Sequence, residues 1–419
     1  MAARITFVYV HLADGPAPAG RLEMIEDART SYAIFEYGTR YLERADRVPV
    51  DPAALPLPDR TGVQFRTAAG FELFNGIRDA APDGWGRTLM RKAAGADNMG
   101  EYDFLVASGD DRVGALAFGP DPTGGPRRIV PWRDGDPPGE KLDLAALSEA
   151  IERAQSVDAP TPDLRRILEA GSSLGGARPK VAATHRGAPW IAKFSAKEDG
   201  FPVCRTELAV MRLAKQCGLN VPDIDLMSIS NRDIYLIRRF DRVTEGDQLR
   251  RVPYASALTM LEAHEIAAHE YSYRDLANIV RRFGSDPHND LRELFRRMAF
   301  NILVGNDDDH LRNHAFLLDR RGWRFSPLYD VVPRPRIGSG GRLVLAVGER
   351  GHEATLANAL TSAPAFGLRR DEAVALLEEL RVLVDAGWEG ALTRAGLGSI
   401  DVARLAGCFS EAGNAEWQS

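Results

Sequence analysis

The chain has 419 residues, of which 44% are hydrophobic and 27% charged, so it can form two or three domains with a substantial core. A net charge of −6 argues against a whole-surface electrostatic grip on nucleic acid, and three scattered cysteines exclude a disulfide framework and a CxxC metal site. No stretch reaches the roughly 18 apolar residues of a membrane span, and the N-terminus lacks the apolar core of a signal peptide, so we expect a cytoplasmic protein without a membrane partner.

Residues 1–120 have the pattern of a small β-rich module. Residues 4–12 alternate like a half-buried strand, Ala13-Asp14-Gly15 is typical of a turn, and a helical stretch at 84–93 follows Pro82-Asp83. Residues 119–140 are dense in proline and glycine, which predicts a linker or long surface loop over 121–141. Helical patterns return at 142–155 and 162–170.

A glycine- and serine-rich segment at 171–176 precedes a predicted β-hairpin with strands at 180–185 and 190–194 and a turn at 186–189. Glycine lets backbone N–H groups converge on an anion, and the serine hydroxyls add donors, so the segment is a candidate phosphate cradle. It is not a Walker A sequence, because no Gly-Lys-Ser/Thr closes it. Taken alone, such a cluster is more often a plain loop.

Lys193 on the second hairpin strand and Glu207 on the next helix form a predicted pair. Glu207 shares a helical stripe with Val210, Met211 and Ala214, so its carboxylate faces the core. A buried carboxylate costs several kcal/mol unless it is paired, and Lys193, one element upstream, is the obvious partner. Kinases require a lysine that is tethered by a helical glutamate and aimed at the nucleotide phosphates.

The segment at 305–314 (GNDDDHLRNH) carries the strongest chemical signal. It follows an amphipathic helix predicted over 290–304 and precedes strand-like runs at 315–318 and 323–325, after which comes Asp330. An Asp, an Asn five residues later, two short strands and another Asp is the kinase layout for phosphoryl transfer. In that layout Asp308 takes the hydroxyl proton, while Asn313 and Asp330 hold Mg²⁺ against the phosphates of ATP.

Two histidine pairs offer a rival metal site. His310 and His314 are four residues apart beside three carboxylates, so on a helix they could bind a transition metal. The Asp- and Asn-rich stretch has low helical propensity, which makes this hypothesis the weaker one. His264 and His269 are five residues apart, about 140° around a helix, so we discard them as a metalloprotease motif.

The chain resembles the HipA toxins, the bacterial serine/threonine kinases of type II toxin–antitoxin modules. The resemblance spans nearly the whole length, and two of its motifs are specific to the family at this spacing. The matching segments are 102–105 (YDFL), 113–116 (VGAL), 172–180, 218–222 (GLNVP), 239–242 (RFDR), 308–314 (DDHLRNH) and 327–330 (PLYD).

The resemblance implies an α+β, protein-kinase-like two-lobed fold with an added N-terminal module and a mainly helical C-terminal lobe. It divides the chain into that module (1–120), a linker (121–141), an N-lobe-like region (142–240) and a catalytic lobe (241–419). It also implies a site for ATP and Mg²⁺ and autophosphorylation of the loop serine Ser173. The implied catalytic base is Asp308, the Mg²⁺ ligands are Asn313 and Asp330, and the ATP-binding residues are Ser172, Ser173, Gly175, Gly176, Lys193, Glu207, Arg239 and Phe240. Arg239 and Phe240 are expected at the lobe junction near the adenine.

The partners implied by the resemblance are a HipB-type DNA-binding antitoxin, operator DNA reached only through that antitoxin, and a protein substrate such as an aminoacyl-tRNA synthetase. Two departures from the usual family pattern, at 176–180 (GARPK) and 251–256 (RVPYAS), bear on substrate identity. We therefore predict a protein serine/threonine kinase toxin. The alternatives are a catalytically weak module that assembles with an antitoxin on operator DNA, and a metal-dependent hydrolase built on His310 and His314.

Overall fold

The computed structural model describes residues 2–26, 31–129, 143–156, 160–171, 176, 178–246, 248–335 and 341–418. Two compact units divide the chain. Unit 1 comprises Met1–Lys197, Ile229–Arg232 and Asp241–Ala255, and unit 2 comprises Glu198–Ser228, Asp233–Phe240 and Ser256–Ser419. The four-part division expected from the resemblance stays a prediction.

The described residues form fourteen strands and thirteen α-helices. Up to residue 194 they are β1 (Ala2–Leu12), β2 (Gly15–Glu26), β3 (Ser31–Tyr37), α1 (Thr39–Leu42), β4 (Gln64–Arg66), α2 (Asn75–Arg78), α3 (Gly84–Ala94), α4 (Glu101–Ala107), β5 (Leu116–Gly119), α5 (Leu144–Ala154), α6 (Thr161–Glu169), β6 (Lys180–His185) and β7 (Ala188–Phe194). From residue 203 they are α7 (Val203–Gln216), β8 (Ile224–Ile229), β9 (Arg232–Arg238), β10 (Arg242–Glu245), β11 (Gln248–Arg251), β12 (Tyr254–Ser256), α8 (Ala257–Met260), α9 (Tyr273–Phe283), α10 (Pro287–Val304), β13 (Ala315–Asp319), β14 (Gly322–Phe325), α11 (Leu356–Thr361), α12 (Arg370–Arg394) and α13 (Ser399–Leu405).

Unit 1 begins with an antiparallel sheet in the order β4-β3-β2-β1-β5. Alternate residues of β1 point to one face, where Val8 and Val10 pack with Leu22, Met24 and Phe35 in a core that solvent hardly reaches. The predicted strand at 4–12 and helix at 84–93 are confirmed as β1 and α3. The predicted loop contains no helix or strand from 120 to 129, and residues 130–142 lie outside the described residues.

The predicted hairpin after the glycine-rich segment is confirmed as β6 and β7. Its loop is shorter than expected, because β7 begins at Ala188 and only Arg186 and Gly187 remain between the strands. Both loop residues have positive φ, 50° and 72°, as a two-residue turn requires. A tight turn of this kind fixes the register of the two strands, and that register decides which side chains face each other.

Unit 1 ends with a segment that is anchored to the N-terminal module by a buried arginine. The Arg242 guanidinium donates to the carbonyl oxygens of Arg112 and Gly114, at 2.7 and 3.1 Å, and to the carboxylate of Asp241 at 2.8 Å. Asp241 in turn accepts from the Gly114 N–H at 2.8 Å. A buried charge with this many partners is stabilised only while all of them are present.

Unit 2 is built around α10, which begins with Pro287 at its first turn and ends at Gly305. Gly305 has φ of 65°, and a Cβ at this position would lie 2.8 Å from the carbonyl oxygen of Cys408. Only glycine satisfies both conditions, so the helix ends here and the chain turns into the acidic segment. Across the described residues, every helix is too short or too polar to span a lipid bilayer.

Two arginines fasten the β13–β14 hairpin to α10. Arg324 on β14 donates to both carboxylate oxygens of Asp290, at 3.0 and 3.1 Å. The fully buried Arg297 donates to the Ser326 carbonyl at 2.7 Å and lies over the Phe325 ring. These contacts fix the position of the hairpin along α10. The residues that follow the hairpin therefore lie near the end of the helix where the acidic segment begins.

Candidate active site

The acidic loop, residues 305–314, rests on a buried polar network. Asn306 donates its backbone N–H to the Asn301 carbonyl and its side-chain amide to Asn301 Oδ1, both at 3.0 Å. The Asn301 amide donates in turn to the hydroxyl of Tyr273, the first residue of α9. Because these groups are buried and bonded to one another, the base of the loop is rigid.

The three consecutive aspartates occupy different environments. The side chains of Asp307 and Asp308 are 31% and 45% exposed, whereas that of Asp309 is only 4% exposed. Asp309 accepts hydrogen bonds from the Tyr273 hydroxyl and from His314 Nε2, the latter at 2.9 Å. Burial alone would raise the pKa of Asp309, but the neighbouring His314 and the two hydrogen bonds lower it below its usual value.

Asp309 is therefore a structural residue, and it holds the loop to α9 and β13. Alanine at this position would leave the Tyr273 hydroxyl and His314 Nε2 without their acceptor, so we expect it to be poorly tolerated. The same contacts weaken the metal-site hypothesis, because the His314 ring is buried, stacks on Phe325 and uses Nε2 on Asp309. Within the described ranges, no cluster of three or more His, Cys, Asp or Glu side chains is arranged to hold a metal.

Asp308 lies at the partly exposed rim of the loop, in contrast to the buried Asp309. Its backbone carbonyl accepts from the Asn313 side-chain amide at 3.0 Å. Its carboxylate accepts from the Arg334 guanidinium, with Nη2 2.5 Å from Oδ2. Asn313 follows in the 3₁₀ turn Leu311–Asn313, so the spacing of five residues brings the two side chains to one edge of the loop.

Asp330 stands at a strained turn after the hairpin. Its φ of 61° is unusual for a residue other than glycine, and such backbone strain concentrates at functional sites. The preceding residue, Tyr329, donates its hydroxyl to the Arg312 carbonyl at 2.7 Å. The Tyr329 ring also lies 5.5 Å from that of Phe240, so unit 2 places Phe240 next to the Asp330 turn.

Glu207 faces the interior of unit 2, as the helical stripe predicted. Glu207 is 2% exposed, because α7 packs its apolar face inward. Burial raises the pKa of Tyr235 well above its usual value, and the charges of Glu207 and Asp330 raise it further. Both carboxylates therefore lie near one buried phenol. Arg239, predicted beside the adenine, is also buried at 3% exposure.

Lys193 lies in unit 1 on β7, where it is 7% exposed, and it pairs across the hairpin with Lys180. Directly opposed residues of an antiparallel pair point to the same face, so two buried ammonium groups share that face. A methyl group on Gly176 would overlap the Lys180 ammonium, which places that cation at the end of the glycine-rich segment. Two buried cations beside a glycine are well suited to an anionic ligand.

Within the glycine-rich segment, Gly171 and Gly176 belong to the described residues. Gly176 donates its N–H to the Asp83 carboxylate and accepts from the Trp85 N–H, both at 3.3 Å, which ties it to the start of α3. The predicted ATP-binding residues Ser172, Ser173 and Gly175 lie outside the described residues.

The residues present fit an oxygen-ligated Mg²⁺. The Asn313 amide nitrogen is used on Asp308, so its oxygen is the group left to a cation, and Asp330 supplies a carboxylate. Mg²⁺ is usually held by one or two such side chains together with phosphates and water, so a cluster of three acids is not required.

Several participants were not predicted from the sequence. Lys180 could have been found by counting outward from the two-residue turn at Arg186 and Gly187, which pairs it with Lys193. Tyr273 and Arg334 carry no local signal, because Tyr273 reaches the acidic loop from α9 and Arg334 reaches it from a later segment. Asn301 lies on α10 just before the loop, and its contact with Tyr273 depends on how α9 packs there.

The fold belongs to the α+β, protein-kinase-like class. The chain is a member of the HipA family, since the family model described as the HipA-like C-terminal domain matches residues 172–388 and the one described as the HipA N-terminal domain matches residues 9–119. The resemblance noted in the sequence is thereby confirmed.

Relatives and one solved structure agree with this assignment. The candidate kinase Y4mE of Sinorhizobium fredii is 26% identical, with 74% of this chain and 77% of the relative covered. The serine/threonine-protein kinase toxin HipA of Shewanella oneidensis is 25% identical, with 60% of each covered. A solved complex of HipA with HipB and operator DNA from Shewanella oneidensis MR-1 has a TM-score of 0.68 at 18% identity, with 97% of this chain and 95% of that chain covered.

Proposed function

We propose that this chain is an ATP- and Mg²⁺-dependent protein serine/threonine kinase that acts as the toxin of a HipBA-type module. The observation that carries the proposal lies in unit 2, where the backbone carbonyl of a partly exposed Asp308 accepts from the Asn313 amide, and Asp330 follows the hairpin with a positive φ. These are the three residue types, in the order and spacing, that phosphoryl transfer to a hydroxyl requires.

In the proposed reaction, the substrate serine or threonine oxygen attacks the γ-phosphorus of ATP as the bond from that phosphorus to the bridging oxygen breaks, and ADP leaves. Asp308 accepts the hydroxyl proton, typically a contribution of about 10²–10⁴ in rate. Mg²⁺, held through Asn313 and Asp330, neutralises phosphate charge when bound. Lys193, which we propose is tethered by Glu207, contacts the phosphates together with Lys180.

The decisive experiment compares Asp308→Ala with Asp307→Ala in a transfer assay with labelled ATP and Mg²⁺. Asp307 is the adjacent, partly exposed acid and so controls for loss of charge in the loop. We expect Asp308→Ala to abolish phosphoryl transfer and growth inhibition with an unchanged unfolding midpoint, and Asp307→Ala to retain most of both. Full toxicity of Asp308→Ala would favour the alternative of a catalytically weak module that binds an antitoxin on operator DNA.

We further propose that a loop serine, either Ser173, which the family resemblance implies, or its neighbour Ser172, accepts phosphate from this site. A phosphoserine carries about −1.5 to −2 charges, which would repel the nucleotide phosphates beside Lys180 and Lys193 and switch the kinase off. Peptide mass spectrometry after incubation with ATP tests this. Phosphate on neither serine, or full activity of Ser173→Asp, would remove the regulatory role and leave the catalytic one standing.

The proposed partners follow from the family. The related Shewanella oneidensis HipA was solved together with HipB and operator DNA, so we propose a HipB-type antitoxin here, with DNA reached through it. The proposed substrate is a translation-related protein such as an aminoacyl-tRNA synthetase. Co-expression with the neighbouring open reading frame, followed by co-purification, tests the first proposal. Phosphoproteomics with the wild-type chain and Asp308→Ala tests the second.

A further inference from the structure

Arg334 is the charged side chain in direct contact with Asp308, and no residue of the kinase layout accounts for it. Its Nη2 lies 2.5 Å from Asp308 Oδ2, and its Nε lies 3.7 Å from Asp307 Oδ1. The guanidinium therefore spans the two exposed aspartates of the acidic loop. It is itself 55% exposed, so its remaining N–H groups face outward from the loop.

The backbone holds Arg334 in place from two directions. Pro333 and Pro335 flank it, and proline restricts both its own φ and the conformation of the residue before it. The Arg334 N–H donates to the Gly305 carbonyl at 3.1 Å, at the point where α10 ends and the acidic loop begins. Because its main chain is restrained in this way, Arg334 is held beside the acidic loop. It differs in this from a long surface side chain that is free to adopt many rotamers.

The position of the guanidinium relative to the base decides what it can reach. A general base must lie within about 2.6–3.2 Å of the hydroxyl it deprotonates, so the phosphorus attacked by that hydroxyl is one bond further away. A cation in contact with Asp308 is thus a neighbour of the transferring phosphoryl group. Guanidinium carries five donors in a plane and binds phosphoryl oxygens in pairs, so one face can hold Asp308 while another holds the phosphoryl group.

We propose that Arg334 is a further catalytic residue, whose guanidinium bridges Asp308 and the phosphoryl group in transfer. This rests on the proposed kinase function. As the bond from the hydroxyl oxygen to phosphorus forms and the bond to the ADP oxygen breaks, the proton passes to Asp308. The carboxylate then loses its charge, and its hold on Arg334 weakens, while the phosphoryl oxygens remain anionic. Arg334 is released towards the group that most needs a counter-charge, which is the electrostatic role of an arginine finger.

The same contact admits the opposite consequence, that Arg334 blocks the base and must be displaced. The two roles predict opposite changes in activity when Arg334 is replaced, so one variant distinguishes them. If Arg334 acts on the transition state, its loss lowers kcat and leaves the KM for ATP nearly unchanged. If it blocks Asp308, its loss raises activity towards the protein substrate.

The experiment measures kcat and KM for ATP in the full-length chain and in Arg334→Gln, Arg334→Lys, Arg334→Ala and Arg350→Gln. Arg350 is the matched control, because it is 50% exposed and pairs with Glu353 at 3.4 Å in the same unit. We expect Arg334→Gln to lower kcat by about 10²-fold or more, with the KM for ATP within about twofold. Arg334→Lys should recover part of the loss, and Arg350→Gln should match the wild-type chain. Added guanidinium should raise the rate of Arg334→Ala.

Unchanged or raised kcat in Arg334→Gln would overturn the catalytic role, and the raised value would support the blocking role. Failure of the kinase proposal looks different, because the wild-type chain itself would then transfer no phosphate. Affinity for ADP with aluminium fluoride, a mimic of the transferring phosphoryl group, gives a second readout. Arg334→Gln should weaken binding of this mimic by at least tenfold while binding ADP alone like the wild-type chain, and equal weakening of both would contradict the proposal.

Discussion

Replacing the buried Asp309 by asparagine should destabilise unit 2 far more than the same change at Asp307. Asp309 accepts from Tyr273 and His314 in a site that solvent does not reach. Both donors bond to the same oxygen, Oδ2, so the asparagine oxygen can still accept from them, but it carries no negative charge. The substitution thus turns two charge-assisted hydrogen bonds into weaker neutral ones and removes the buried carboxylate charge beside His314.

The size of the effect follows from these contacts. Removing one partner of a buried charged pair typically costs about 3–5 kcal/mol, and asparagine keeps an acceptor oxygen while losing the charge, so we expect about 3 kcal/mol for Asp309→Asn. The partly exposed Asp307→Asn should stay within about 0.5 kcal/mol of the wild-type chain. Tyr273→Phe, which deletes only the hydroxyl, should lose roughly 2 kcal/mol.

Urea unfolding followed by circular dichroism measures these differences as shifts in midpoint at constant slope. Because Asp309 has a lowered pKa in the folded state, its contribution is present above the pKa of the unfolded chain and is lost as pH falls through the folded pKa. The difference between Asp309→Asn and the wild-type chain should therefore be constant above about pH 5 and shrink below about pH 4. Equal midpoints for Asp309→Asn and Asp307→Asn at pH 7 would refute this account of the loop.

Three further predictions concern other parts of the chain. Lys193→Ala and Glu207→Ala should each weaken ATP binding, and the double variant should be little worse than the poorer single one; additive losses in calorimetry would show that the residues are uncoupled. Burial raises the pKa of Asp51 to about 6, although three backbone N–H donors act to lower it. The folded form therefore gains stability as pH falls from 7 towards 4. Asp51→Asn should make the thermal midpoint depend less on pH over that range. Arg242→Gln should cost about 3–5 kcal/mol in urea unfolding because it removes the guanidinium charge beside the buried Asp241. Arg250→Gln, on the exposed strand opposite, should cost less than about 1 kcal/mol.

Local structure was largely predictable from the sequence because it depends on neighbours in the chain. The 3.6-residue period of apolar side chains marked α10, and period-two alternation with a glycine turn marked the β6–β7 hairpin. The burial of Glu207 could likewise be predicted, since a helix places residues three and four apart on one face. The layout of Asp308, Asn313 and Asp330 could be predicted for the same reason. A hairpin that follows the acidic loop returns the chain to that loop.

The tertiary structure alone decided which acid of the triplet is buried. The spacing to Asn313 singles out Asp308 in the sequence, but nothing in the sequence shows that Asp309 lies in the interior. Asp309 is buried because Tyr273, at the start of a separate helix, and His314, beyond the turn, converge on it, and Asp308 stays at the rim because Arg334 meets it there. Such contacts join residues far apart in the chain, and their free energy depends on burial and distance in three dimensions. Sequence spacing determines which residues can come together through one turn, and packing determines which of them do.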